Sequence, residues 1–435
     1  MKNFAILISV ILILAGCKQE DEETYFTSDK AEAYFTKIEK ICDADSGKLW
    51  GKNLFGPVMF IDRTSRKITA NQPDQEGLLR SKGNVYTGIY PRESIISNSP
   101  MVFGGTLFAQ APLPPEEDEL RILTRALHSL FHRYQLENWP DLVTTYNTAN
   151  IDEKQARLWL KLEWKALRKA LNSAGEEKLL SIRDALIFRG SIRETYPLFA
   201  EDQNRFESYE GLTTFTYIHL VSKSPAEFYE ILFDHFERIY SFQSYSRSYG
   251  FIHGALYATL LAQNGFDFKT IRSEKTDLGK LVQEVYGIAL PSVCRDVAGS
   301  IAFYYNVEEI YREEEQRFRD LKDRLNKQIA VFTEKPVVFI ELESPYFDFE
   351  PEDVHSLDTL GILYSRLRVS DNWGKLSVNK EGCLVSSNYK YLRISAKGYK
   401  KEKNHLHGEG WNLVLDNNWE VVEVNQNYFV RKLAP

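Results

Sequence analysis

Cysteine is scarce in this chain of 435 residues, which has four in all, Cys17, Cys42, Cys294 and Cys383. They are widely separated and show no C-x-x-C spacing, which excludes a cysteine-rich zinc ribbon or a thioredoxin-type redox pair. Apart from Cys17 the remaining three are an odd number, so no disulfide is required and they read as structural. An excess of positive charge is also absent. The formal net charge is −7 and the pI about 5.8, which argues against general affinity for nucleic acid. Basic runs such as Lys397 to Lys403 are short and belong on a solvated loop. No apolar run reaches the roughly 20 residues needed to span a bilayer. There is no Gly-x-Ser-x-Gly elbow, phosphate loop or dinucleotide fingerprint, and no internal repeat or low-complexity segment.

What is present begins with a leader. Lys2 supplies a positive n-region and Phe4 to Leu14 an apolar h-region. Leu14-Ala15-Gly16-Cys17 then resembles the lipobox of bacterial lipoproteins. The resemblance implies cleavage before Cys17, lipidation of its thiol and new amine, and a stable anchor in the cell envelope at the outer membrane. The acidic run Lys18 to Glu23 reads either as a polar tether or as the export signal of surface lipoproteins, so both the periplasmic and the surface leaflet stay open.

The rest of the chain is 43% hydrophobic over the full length, enough apolar material for two domains. The expected division is a leader (1–17), a tether with a short helix (18–47), a mainly helical domain (48–335) and a β domain (336–435). Residues 48–115 read as β-rich, with Pro57–Asp62 pairing with Lys67–Asn71, and further strands at Val85–Tyr90 and Gly105–Ala111. Prolines 112, 114 and 115 end that region, and a helix follows from about 116 to 136. Asp152, with Gln155 three residues on, predicts a capping box for a helix over 153–173. Helical patterns continue over 176–195, 198–221, 225–240, 249–264, 277–286 and 292–332, with the charged stretch Glu308–Arg324 expected on the surface. From Pro336 short β runs separated by Gly, Asn and Asp turns predict an antiparallel sandwich or barrel. The fold class is α+β.

Chemistry concentrates at His128 and His132, four residues apart on a predicted helix. That spacing puts both imidazoles on one face, as two nitrogen ligands to one zinc ion require. A third ligand is needed, and the acidic helical segment Glu207-Ser-Tyr-Glu210-Gly-Leu is placed to supply it. Glu163, on an apolar helix face, could hydrogen-bond a ligand histidine or pair with Arg189 or Arg193. His253 reads as a satisfied core histidine that could line a cleft, and His405 and His407 as residues of a polar turn.

Glu210-Gly-Leu on a helix downstream of a His-x-x-x-His helix resembles the gluzincin metallopeptidases. Residues 49–290 further resemble a family of bacterial proteins with this arrangement. The matches include Gly56-Pro57, Ala70-Asn71-Gln72 with Asp74, Thr87-Gly88, Pro112-Leu-Pro114, Phe131-His132-Arg133, Arg157–Trp164, Asp184–Arg189, Glu207–Tyr217 and Tyr249–Tyr257. The resemblance implies a zincin-like helical core, zinc on His128, His132 and Glu210, and Glu207 as the alternate ligand one turn earlier. The chain departs where the family's general base stands, because Ser129 replaces the glutamate of H-E-x-x-H. A serine hydroxyl is no base near neutral pH, and general acid–base assistance is commonly worth about 10²–10⁴-fold. A histidine expected near Asn150–Asp152 is also missing, and Thr213 stands where a smaller residue is expected. The expectation is a lipid-anchored, degenerate zinc metallopeptidase-like protein, inactive or weakly active, that binds peptide, protein or another ligand. An active zinc peptidase with Glu207 or Glu163 as substitute base, or a metal-free binding lipoprotein, are the alternatives.

Overall fold

A computed structural model describes residues 26–433 apart from 92–93, 95, 335, 350–353 and 358–359. The leader, the lipobox and Cys17 lie outside these residues. Among the described residues no helix is long and apolar enough to cross a membrane.

The first sheet has six strands: β1 (Val58–Ile61), β2 (Lys67–Ala70), β3 (Arg80–Lys82), β4 (Val85–Ile89), β5 (Pro100–Phe103) and β6 (Thr106–Pro112). Their order is β3-β4-β2-β1-β6-β5, all neighbours antiparallel except β1 and β6. β1 pairs with β2 as expected, Phe60 opposite Thr69. All four β1 residues are buried, because alternate side chains enter different cores. Val58 and Phe60 join the main core under helix α1 (Ser28–Asp45), while Met59 and Ile61 pack with Ile68, Tyr90 and Phe108.

The helical body follows, with α2 (Glu119–Asn138), α3 (Lys154–Asn172), α4 (Gly175–Thr195), α5 (Ala200–Phe206), α6 (Leu212–Val221), α7 (Pro225–Tyr240), α8 (Tyr249–Gln263), α9 (Leu278–Val285), α10 (Arg295–Ala302) and α11 (Val307–Thr333). The Asp118 carboxylate caps α2, accepting from the Arg121 amide at 3.0 Å, and Ser224 caps α7 through the Glu227 amide at 3.2 Å. Two expectations change here. Asp152 is not the cap of α3, which starts one residue after Glu153 without a side-chain cap. Its carboxylate is taken by a tertiary contact, accepting from the Tyr245 amide at 2.6 Å, and so fixes the turn before α8. Nor is the charged stretch on α11 wholly exposed. Glu314 is buried, paired with Arg157 and Lys161 of α3 and with Arg317 of its own helix.

Residues 337–432 form two more sheets, of seven and six strands. Val338, Ile340, Leu392 and Ile394 from one and Leu376, Val378, Leu413 and Leu415 from the other share one core. The sheets stay open, so the β part is a sandwich and not a barrel. His405 and His407 sit in the strand His405–Gly408 and not in a turn. The turns flank it instead, with positive φ at Lys403 and Gly410.

Candidate metal centre

Helix α2 packs against β6 on one side and α6 on the other. Its face toward α6 carries His128 and His132, whose rings stand with centroids 4.4 Å apart. The third group comes from an irregular stretch between α5 and α6. Residues Glu207–Gly211 form a π turn, with i→i+5 bonding that inserts extra backbone into what is otherwise one helix. From this turn the Glu210 carboxylate reaches His132 Nε2 at 3.2 Å and His128 Nε2 at 3.7 Å.

Donor atoms of these three side chains all lie within 4.8 Å of one another. Around a tetrahedral zinc with bonds of 2.0–2.2 Å, donors stand roughly 3.3 Å apart. The spacing therefore fits a divalent ion with a small adjustment of side chains. Chemistry fits as well. Burial pushes the His128 imidazole well below its ordinary pKa, and neighbouring His132 adds to the shift, so His128 is neutral with a free lone pair. His132 is held by Gln135, whose Oε1 lies 2.7 Å from Nδ1. The Gln135 amide nitrogen donates to the Tyr209 carbonyl at 3.0 Å, which fixes the oxygen on the histidine side. An amide oxygen can only accept, so Nδ1 of His132 carries a hydrogen. Nε2 and the Glu210 carboxylate face each other as two acceptors, an arrangement that calls for a proton or a metal ion between them.

Aromatic side chains wall the group. His132 stacks on Tyr209 with centroids 4.1 Å apart, and His128 lies beside Phe251 and Tyr217. The phenols of Tyr146, Tyr209 and Tyr217 are all held above the ordinary tyrosine value, by burial first and by the Glu210 charge as well. Ser129 is fully buried and, among the described residues, its hydroxyl has no hydrogen-bond partner.

The other residues singled out from sequence lie elsewhere. Glu207 leaves the π turn away from His128 and His132, pairs with Arg189 at 2.6 Å and lies 3.6 Å from His253. The reason is the turn itself: residues three apart share a face in an α-helix, and the wider π turn separates them. Glu163 does not touch a histidine of the group. It accepts from Tyr257 at 2.6 Å and lies 3.1 Å from His253 and 3.8 Å from Arg189. Burial works against the Glu163 charge, but His253 and Arg189 outweigh it and hold its pKa low. His253 is a satisfied core histidine, accepting from Trp164 at 2.8 Å. Sequence reasoning missed Gln135, Tyr146 and Tyr209. Gln135 carried a signal, lying three residues from His132 and so on the same face.

No family model, curated protein or solved structure matches this chain. The convergence of His128, His132 and Glu210 therefore stands by itself, as a group that could hold a metal ion.

Proposed function

We propose that this is a lipid-anchored, metallopeptidase-like protein that holds zinc on His128, His132 and Glu210 and has lost most or all of the hydrolytic step. One observation carries the reading: two imidazoles from α2 and a carboxylate from the π turn meet at 3.2 and 3.7 Å, with Gln135 orienting His132. A bound zinc ion would supply a Lewis acid and an open coordination position. The aromatic walls, Tyr209, Tyr217 and Phe251, suit the side chains of a peptide or protein ligand. Loss of catalysis is supported by Ser129, whose buried hydroxyl cannot serve as general base. Substitution by Glu207 or Glu163 is disfavoured, since both are buried and held by Arg189 and its neighbours. Anchoring through lipidated Cys17 is supported by the charge, length and four-residue motif of the leader.

Elemental analysis of the purified mature chain tests the metal reading. About one zinc per chain is expected, and little or none in His132→Ala. Wild-type protein without metal after reconstitution would favour a metal-free binding protein. Assays on a peptide library should show no turnover; chelator-sensitive turnover would overturn the loss of catalysis. Ser129→Glu restores the missing carboxylate, and gained hydrolysis would show that the remaining groups are competent. Labelled palmitate should enter the wild-type chain and not Cys17→Ala.

A further inference from the structure

The π turn is gripped from behind. The Glu207 carboxylate takes both terminal nitrogens of Arg189, at 3.0 and 2.6 Å, and the Tyr249 hydroxyl donates to it at 3.4 Å. Arg189 is anchored in turn by Asp277, at 3.3 Å, whose carboxylate also accepts from the Lys280 amide at the start of α9. Glu207 is 1% exposed and Arg189 5%. The turn's backbone and the Phe206 ring just before it rest on two glycines of α8, one helical turn apart. A Cβ on Gly254 would stand 2.1 Å from the Glu207 carbonyl oxygen, and one on Gly250 2.5 Å from the Phe206 ring. Gly211 completes the contact, since a Cβ there would meet Gly254 Cα at 2.4 Å. Glycine inside a helix costs roughly 0.5–1 kcal/mol relative to alanine, so two in α8 imply that close approach is needed. A buried ion pair is poor evidence of stabilisation, which leaves open what this one is for.

We propose that the Arg189–Glu207 pair and the Gly250–Gly254 seat position the metal centre, holding the π turn in the register from which Glu210 meets His128 and His132. The inference rests on the metal reading and adds to it the residues that set affinity. The ligand carboxylate and its anchor leave the same five-residue turn in different directions, one toward α2 and one toward α4. A shift of the turn against α8 would therefore be passed directly to Glu210. Metal–oxygen distances tolerate only about 0.2 Å, so a small shift is costly. Arg189 and Glu207 touch no ligand atom of the group; they are positioning residues.

The test compares zinc affinity in the full mature chain by chelator competition, with the visible spectrum of the cobalt-substituted protein as a report on geometry. Glu207→Gln keeps size and hydrogen-bonding capacity and removes the charge. Gly254→Ala moves the backbone and leaves every charge in place, so it carries the test if the first variant does not fold. Ile310→Ala is the control, a buried residue on α11, a helix that packs on α3 and not on the π turn. Both test variants should bind zinc tenfold or more weakly, within the 10–100-fold typical of groups behind metal ligands, and should alter the cobalt spectrum. Ile310→Ala should lose stability and keep wild-type affinity and spectrum. Wild-type affinity, within about twofold, in both test variants, or an equal loss in the control, would overturn the proposal. If wild-type protein takes up no zinc, the ligand assignment itself falls; if wild type binds and the variants bind equally, only the positioning role falls.

Discussion

At the scale of single residues, Gln135 fixes the orientation of one side chain in the group that could hold a metal ion. A glutamine with no exposure, bridging His132 Nδ1 and the Tyr209 carbonyl, presents the other nitrogen of the ring to Glu210. Gln135→Leu keeps the bulk and frees the ring to rotate or change tautomer. The Tyr209 carbonyl would still accept from Thr213, at 2.6 Å, so the fold should hold. Zinc affinity should fall about 10–100-fold, with little change in thermal stability of the metal-free chain; unchanged affinity in calorimetric titration would refute the orienting role. The histidine pair was legible because helical spacing places both rings on one face; Glu210, on another element, came from the resemblance and not from spacing. Glu207 was misplaced, since one face was inferred for two residues that the π turn separates. Thr213 read as a departure from a pattern, yet it lies among Gln135, His132 and the Tyr209 carbonyl and fills the space behind the ligand.

At the scale of elements, most helices and the longer strands could be read from apolar period and caps. β3 and β5 could not, because β3 is three exposed polar residues and β5 opens on Pro100, a residue that argues against a strand. The π turn was hidden as well, since 198–221 keeps a helical pattern through it. Helix α11 was misread in one respect. Its charges looked solvated, but Arg157 and Lys161 reach from α3 to Glu314 and bury it. Burial alone would raise the Glu314 pKa; Arg157, with Lys161 and Arg317, more than reverses this and takes it from 4.5 to about 2. A carboxylate with a depressed folded pKa stabilises above its unfolded value and loses that contribution as pH falls through the folded one. The α3–α11 contact should therefore weaken as pH falls from about 4.5 toward 2. Glu314→Gln should be less stable at neutral pH by about 3 kcal/mol, since the charge shared by three cations is removed and only Arg157, through Asp152, and Lys161, through Glu313, keep another carboxylate. Its melting temperature should fall less steeply than wild type's below pH 4.5. Parallel pH profiles for the two chains would show that Glu314 is not the group responsible.

At the scale of the molecule, the described residues hold two large apolar cores that are distinct. One runs through the helical body from Phe26 to Ile310, and the other fills the sandwich from Val338 to Val430. Phe332 of α11, with Leu363 and Leu384, forms a small cluster between the helix end and the first of the two sheets. Tyr346 of the sandwich also meets Ile96 and Arg66 beside the first sheet. These contacts are small beside either core, and two unfolding transitions are expected in calorimetry. All three candidate ligands belong to elements of the helical body, so zinc should act on that transition only. Binding adds about 2.7 kcal/mol at a free concentration 100 times the dissociation constant, which for a body of this size amounts to a rise of roughly 5 °C. Chelator should remove that rise and leave the second transition in place, and in His132→Ala chelator should change neither. Leu376→Ala, which opens a cavity in the sandwich, should lower the transition that chelator does not touch. A single transition shifted by both treatments would mean that the sandwich and the metal-bearing helices fold as one unit, with the β part then belonging to the machinery that shapes the site.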